Sequence, residues 1–164
     1  MQIIENFLSQ ELWQALRQFS RQTKLVNTNI TQWQGAVVGR SSPIIQQTVS
    51  GWLLEKVQAE LGKHVEREYR RAQWKTTIHL GSYLSYIPWH NDSTYKLSIT
   101  AYLHEHWELE HAGYFMWEEP DGIRSVVPWP NMGLVYETPL MHSVALANIN
   151  APLRESLQIF IGDV

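Results

Sequence analysis

Four residues in the second half of this 164-residue chain have types and spacing that could do chemistry. His90 and Asp92, in Pro88-Trp89-His90-Asn91-Asp92, are two residues apart. In an extended segment the imidazole and the carboxylate leave the backbone on one side and can reach one metal ion. The same pair also occurs as a hydrogen-bonded couple in surface turns, so the spacing alone leaves both readings open. A third donor, His142 in Pro139-Leu140-Met141-His142-Ser143-Val144, favours the metal. Two imidazoles and one carboxylate form the facial ligand set of non-haem iron, leaving three positions for a bidentate cosubstrate and dioxygen. Arg154, twelve residues further on, supplies a planar, permanently charged fork for a carboxylate. Ser156 falls on the same strand face and can add a hydrogen bond. A guanidinium turned into an apolar interior without an anion is costly, so this arrangement calls for a bound acid.

Periodicity shows which elements would carry these residues. From about Val65 onward the chain alternates with period two in short runs separated by Gly, Pro, Asn and Asp, the pattern of strands and turns. In Leu97–His104 one face carries Leu97, Ile99, Ala101 and Leu103, and the other Ser98, Thr100, Tyr102 and His104. In the last strand Leu157, Ile159 and Ile161 oppose Arg154, Ser156, Gln158 and Phe160. Periodicity leaves open whether these polar faces meet bulk water or a cavity.

The N-terminal third reads as helical. Ile3-Ile4 predicts a short strand, and Ser9 caps a helix over Gln10–Phe19 with Leu12, Leu16 and Phe19 on one face. A second helix is predicted with Ser42 as cap, Pro43 in the first turn and Gly62 at its close. Its apolar stripe is Ile45, Val49, Trp52, Leu53, Val57 and Leu61. Asn27–Gln34 reads as a polar loop. Two helices followed by about eight short strands predict an α+β, mainly β domain, a sandwich or barrel with the helices packed outside.

Length and a hydrophobic content of 44% fit a single domain over 1–164. Thirteen basic against sixteen acidic side chains give a net charge of -3, which disfavours nucleic acid as a partner. There is no apolar run of bilayer length and no basic-then-apolar secretion signal, so a soluble, cytoplasmic protein without membrane attachment is expected. With no cysteine, any metal must sit on His, Asp, Glu and water. Eight Trp and seven Tyr fit either an aromatic-lined cavity or plain core packing.

In order along the chain, several segments carry a resemblance. They are Glu5-Asn6-Phe7-Leu8-Ser9, His79-Leu80-Gly81-Ser82-Tyr83-Leu84, His90-x-Asp92, and Ala101-Tyr102-Leu103 with Trp107 and Gly113. Gly133-Leu134-Val135-Tyr136-Glu137-Thr138, His142-Ser143-Val144 and Arg154-x-Ser156 complete the set. Nearly end to end, the chain resembles the prolyl-4-hydroxylase-like branch of the 2-oxoglutarate/Fe(II)-dependent oxygenases.

The resemblance implies a double-stranded β-helix, or jelly roll, with the N-terminal helices outside one sheet and the two polar faces turned inward. It implies Fe(II) on His90, Asp92 and His142, with Arg154 and Tyr102 on the distal carboxylate of 2-oxoglutarate and Thr100 lining the pocket beside Ser156. His79 stands where that family usually has Tyr, and either takes over a hydrogen bond to the cosubstrate or fills space. His104 replaces the usual Asn, and Ala112-Gly113 the usual Gly-Gly.

The implied reaction uses dioxygen to convert 2-oxoglutarate to succinate and CO2 while hydroxylating a C–H bond. A prolyl residue of a peptide or protein is the expected substrate, a free amino acid or small natural product the alternative, and a non-catalytic jelly-roll binding module the rival class. Trp89, Tyr95, Trp117 and Trp129 could line an entrance or pack in the core. His104, His106 and His111 read as a solvated loop, and Arg67, Arg70, Arg71 and Lys75 as a solvated strand face.

Overall fold

A computed structural model describes residues 1–22, 28–31 and 44–163. Its strands, in chain order, are β1 (Gln2–Ile4), β2 (Thr28–Thr31), β3 (Ile44–Thr48), β4 (Trp74–Gly81), β5 (Ile87–His90) and β6 (Tyr95–Tyr102). They continue as β7 (Phe115–Glu119), β8 (Gly122–Val126), β9 (Gly133–Glu137), β10 (His142–Val144) and β11 (Arg154–Asp163). The helices are α1 (Gln10–Gln22) and α2 (Gly51–Leu61). A seven-stranded sheet has the order β1-β9-β6-β11-β4-β3-β2, and a four-stranded sheet the order β5-β10-β7-β8. All pairings are antiparallel.

The large sheet has two faces with different duties. Its outer face carries Ile78, Leu97, Ile99, Ala101, Leu157, Ile159 and Ile161, packed with Leu12, Trp13 and Leu16 of α1 and Leu53, Val57 and Leu61 of α2. Fully burying one such Ile or Leu is worth about 1.5–3 kcal/mol, and this contiguous layer is the main core. The inner face turns toward the small sheet, where Tyr102, Leu134 and Tyr136 meet Phe115 and Trp117. The alternation read along β6 and β11 is therefore correct in both strands, and the polar faces look inward.

The N-terminal segment is tied down at specific points. Ser9 caps α1 as predicted, its Oγ accepting from the Leu12 N–H at 3.2 Å. Trp13 Nε1 donates to the Tyr102 carbonyl at 3.1 Å, joining α1 to the end of β6. The Asn131 side chain accepts from the Leu8 N–H and donates to the Leu8 carbonyl. The Phe7 ring lies directly over Gly133, where an added Cβ would come within 2.2 Å of it.

Several expectations need correction. Ile44–Thr48 is a strand, not the first half of a helix, because it pairs with β4 from Ile44↔Gly81 to Thr48↔Thr77. Ser42 and Pro43 lie outside the described residues. The second helix occupies only Gly51–Leu61, and Trp52 is 62% exposed, off the buried stripe. Thr28–Thr31, expected as loop, pairs with β3, while Asn27 and 32–34 lie outside the described residues. The described residues form eleven strands, more than the eight or so expected. Tyr69–Arg71 is a 3-10 turn, so of the basic group only Lys75 belongs to a strand. Among the described residues no helix is long and apolar enough to cross a membrane.

The Phe7–Gly133 contact gives a stability prediction. Gly133→Ala must displace a fully buried ring, and should cost about 1–3 kcal/mol, read as a lowered denaturation midpoint.

Candidate metal and dicarboxylate site

Between the sheets lies a narrow cavity of about 40 Å³. His90 ends β5 and His142 begins β10, and the two are direct partners in the antiparallel register. Cross-strand pairing thus brings together imidazoles far apart in sequence, with ring centroids 4.2 Å apart. Asp92 comes from the turn between β5 and β6. Its Oδ1 lies 4.0 Å from His90 Nε2, and its Oδ2 3.7 Å from His142 Nε2. One ligand atom from each residue lies within 4.8 Å of the others, a spacing that one small cation can bridge.

The two histidines are oriented identically. His90 Nδ1 is 2.8 Å from the Pro88 carbonyl, and His142 Nδ1 is 2.8 Å from the Leu140 carbonyl. A carbonyl can only accept, so each Nδ1 carries a proton, which turns each Nε2 toward the shared centre as the atom that would bind metal in the neutral ring. Phe115 stacks on the His142 ring at 5.2 Å with planes 17° apart. Burial, then the neighbouring His90, lowers the pKa of His142. Both effects favour the neutral form that binds metal.

The inner face of the large sheet supplies the rest. Register aligns His79, Ser156 and Tyr102 across β4, β11 and β6, with Gln158 opposite Thr100 in the next row. Thr100 Oγ1 donates to Gln158 Oε1 at 2.8 Å, and Gln158 Nε2 donates to Ser156 Oγ at 3.0 Å. Arg154 opens β11 opposite Gly81. Gly81 packs closely beside it, since an added Cβ there would lie 3.3 Å from Arg154 Nη2 and 2.8 Å from Ser85 Oγ. Arg154 is 5% exposed, and its Nη1 is buried without a hydrogen-bond partner. No acidic side chain forms an ion pair with Arg154 among the described residues. Burial works against the Arg154 charge, and raises the Tyr102 pKa well above its ordinary value. Tyr102 therefore remains a neutral donor.

The cavity thus brings together His90, Asp92, His142, Arg154, Tyr102, Ser156, Thr100 and His79. The four aromatic entrance candidates do not line it. Trp117 is buried, its Nε1 donating to Glu119, and Trp129 is exposed. Trp89 is half-buried outside the lining, and Tyr95 touches the cavity only by stacking at 4.8 Å on Phe160, which does line it.

The sequence reading gave no site role to Ser98, Tyr136 or Phe115. Ser98 Oγ donates to Asp92 Oδ2 at 3.1 Å, and Tyr136 Oη lies 3.5 Å from that same oxygen. Ser98 stood on the polar face and could have been considered. Tyr136 and Phe115 lie in apolar runs and carry no such signal. His104, expected in a solvated loop, is buried, with Nε2 2.6 Å from the Pro128 carbonyl; its imidazole packs 4.6 Å from Trp107.

No protein-family model matches the chain, and no curated protein matches it. Solved structures do. A prolyl-4-hydroxylase from Pseudomonas putida is 16% identical with a TM-score of 0.79, covering 99% of this chain and 92% of its own. A Trichoplax adhaerens prolyl hydroxylase, in complex with a hypoxia inducible factor oxygen degradation domain peptide fragment, is 16% identical with a TM-score of 0.78, covering 99% and 83%. The viral collagen prolyl hydroxylase of Paramecium Bursaria Chlorella virus-1, as a 2OG complex, is 11% identical with a TM-score of 0.73, covering 99% and 96%. These solved structures share the architecture, the double-stranded β-helix that the resemblance implies.

Two buried histidines make stability pH-dependent. Burial, helped by Arg154, pushes the pKa of His79 down to about 3, and burial pushes that of His104 down to about 4. In the unfolded chain both protonate near pH 6.5. Below that pH the unfolded state binds more protons, so stability is fully present above about pH 6.5 and declines toward pH 4, by up to about 1.4 kcal/mol per pH unit for each group. Denaturant titrations from pH 7 to 4.5 should show this decline, with a shallower slope in His79→Asn.

Proposed function

We propose that this protein is an Fe(II)- and 2-oxoglutarate-dependent dioxygenase that hydroxylates a C–H bond. The observation that carries the reading is the buried Arg154 guanidinium, which has no acidic partner among the described residues and shares a cavity with His90, Asp92 and His142. Two imidazoles and a carboxylate suit Fe(II). An unpaired guanidinium fits the far carboxylate of a small dicarboxylate. A bare jelly-roll binding module needs neither.

Iron with 2-oxoglutarate and O2 would supply C–H hydroxylation, releasing succinate and CO2. This chain's residues divide the remaining work. His90, Asp92 and His142 hold the metal. Arg154 and the neutral Tyr102 hydroxyl bind the distal carboxylate, with Ser156 and Thr100 beside them. His79, neutral and buried against Thr77 Oγ1 at 3.2 Å, adds a polar edge to the same pocket without adding charge. Ile87, Phe115 and Val144 exclude water around the ligands.

For the substrate we propose a prolyl residue in a peptide or protein, supported by the structural likeness to prolyl hydroxylases. A small-molecule substrate is the second reading. It is favoured by a likeness, at a TM-score of 0.69 and 13% identity over 98% of this chain and 77% of the other, to the non-heme alpha ketoglutarate dependent epimerase SnoN from nogalamycin biosynthesis.

Anaerobic addition of Fe(II) and 2-oxoglutarate should produce a visible metal-to-ligand charge-transfer band, and air should then release succinate slowly without substrate. His142→Ala should lose both. If the wild-type protein shows neither, or His142→Ala keeps both, the assignment is wrong. Arg154→Gln should keep metal binding while weakening 2-oxoglutarate by on the order of 100-fold, the loss expected for one partner of a buried charge pair. A mass gain of one oxygen on proline-rich peptides, against free amino acids, separates the two substrate readings.

A further inference from the structure

Asp92 is the one metal ligand not carried by a strand. It lies in the turn after β5, where main-chain pairing does not fix its side chain, although a facial ligand set requires it to be held as firmly as the histidines. Two hydroxyls meet its carboxylate. Ser98 Oγ donates to Oδ2 at 3.1 Å, and Tyr136 Oη donates to the same oxygen at 3.5 Å. Ser98 and Tyr136 are direct partners in the β6–β9 register. Both are buried, and the Tyr136 hydroxyl also lies 3.4 Å from His142 Nε2. No hydrogen bond reaches Oδ1 among the described residues.

We infer that Ser98 and Tyr136 are positioning residues for the metal carboxylate: together they hold Oδ2 of Asp92, leaving Oδ1 as the single oxygen offered to the metal. This inference rests on the iron reading above and specifies how that site is built. An Asp on an unsupported turn can swing away or chelate through both oxygens, and bidentate binding would consume a position the cosubstrate or dioxygen needs. Two donors on one oxygen oppose both outcomes. They stand on adjacent strands of the rigid large sheet, so they tie a turn residue to the most extensively paired part of the fold.

The test is Co(II) binding to the metal-free full-length chain without 2-oxoglutarate, followed by visible d–d absorption. Co(II) reports both affinity and coordination geometry without turnover. Tyr136→Phe and Ser98→Ala should each weaken Co(II) by about 10-fold, and the double variant by about 100-fold, the range for outer-sphere hydrogen-bond partners of a metal ligand. Each should also alter the intensity of the d–d band. Ser98→Thr, which keeps the hydroxyl, should retain wild-type affinity. Circular dichroism of the metal-free variants establishes that they fold, and Tyr136→Phe, which removes a single oxygen atom, decides the question even if Ser98→Ala does not fold. Wild-type affinity and an unchanged band in the folded variants overturn the inference while leaving the iron site standing. If Asp92→Ala binds Co(II) as well as wild type, or wild type does not bind it, the iron reading itself fails.

Discussion

A strand in the middle of a sheet must satisfy two faces at once, and β11 does so with opposite chemistries. It lies between β6 and β4, so its backbone is fully occupied by pairing. Its outward residues Leu157, Ile159 and Ile161 are apolar beneath α1 and α2, and Glu155 on the same face is buried beside Ser20 of α1. Its inward residues can be polar only where each polar group finds a partner in the cavity or in a ligand. Ser156 and Gln158 find partners in each other and in Thr100. Arg154 Nη1 has no such partner among the described residues, and the proposed dicarboxylate would supply one. Placement of the outer core and of the cavity therefore both follow from one alternating ten-residue segment.

The small sheet contributes a different kind of precision. It is short, and β5 is its edge, yet antiparallel pairing sets His90 opposite His142 and Phe115 within stacking distance. The large sheet provides Arg154 and the hydroxyls that reach Asp92, while the small sheet provides both imidazoles. The proposed metal centre belongs to neither sheet alone. It forms only when the two are packed at the correct separation, which the core between Phe115, Trp117, Tyr102 and Tyr136 maintains.

Much of this was readable from residue order because period-two alternation survives in an antiparallel sheet with distinct faces. The two faces of β6 and β11 and the Ser9 cap could be read directly, whereas Phe115 and Tyr136, which also line the cavity, could not. Ile44–Thr48 could not. Its apolar residues Ile45 and Val49 satisfy helical spacing, and only pairing with β4 shows that the backbone is extended there. Ser98 and Tyr136 pair through β6–β9 register, a relation between distant segments that no local pattern reveals. Trp117 takes the core placement left open to it and Trp129 is exposed, because aromatic abundance carries no information about direction.

The imidazoles of His90 and His142 are each oriented by the carbonyl two residues earlier in the chain, at Pro88 and Leu140. A main-chain oxygen cannot be removed by substitution, so the tautomer of both ligands survives replacement of almost any neighbouring side chain. The orientation is written into the path of the backbone. Substitution in the flanking segments therefore leaves both rings aimed as they are, so long as the β5–β10 pairing that sets the backbone path is kept.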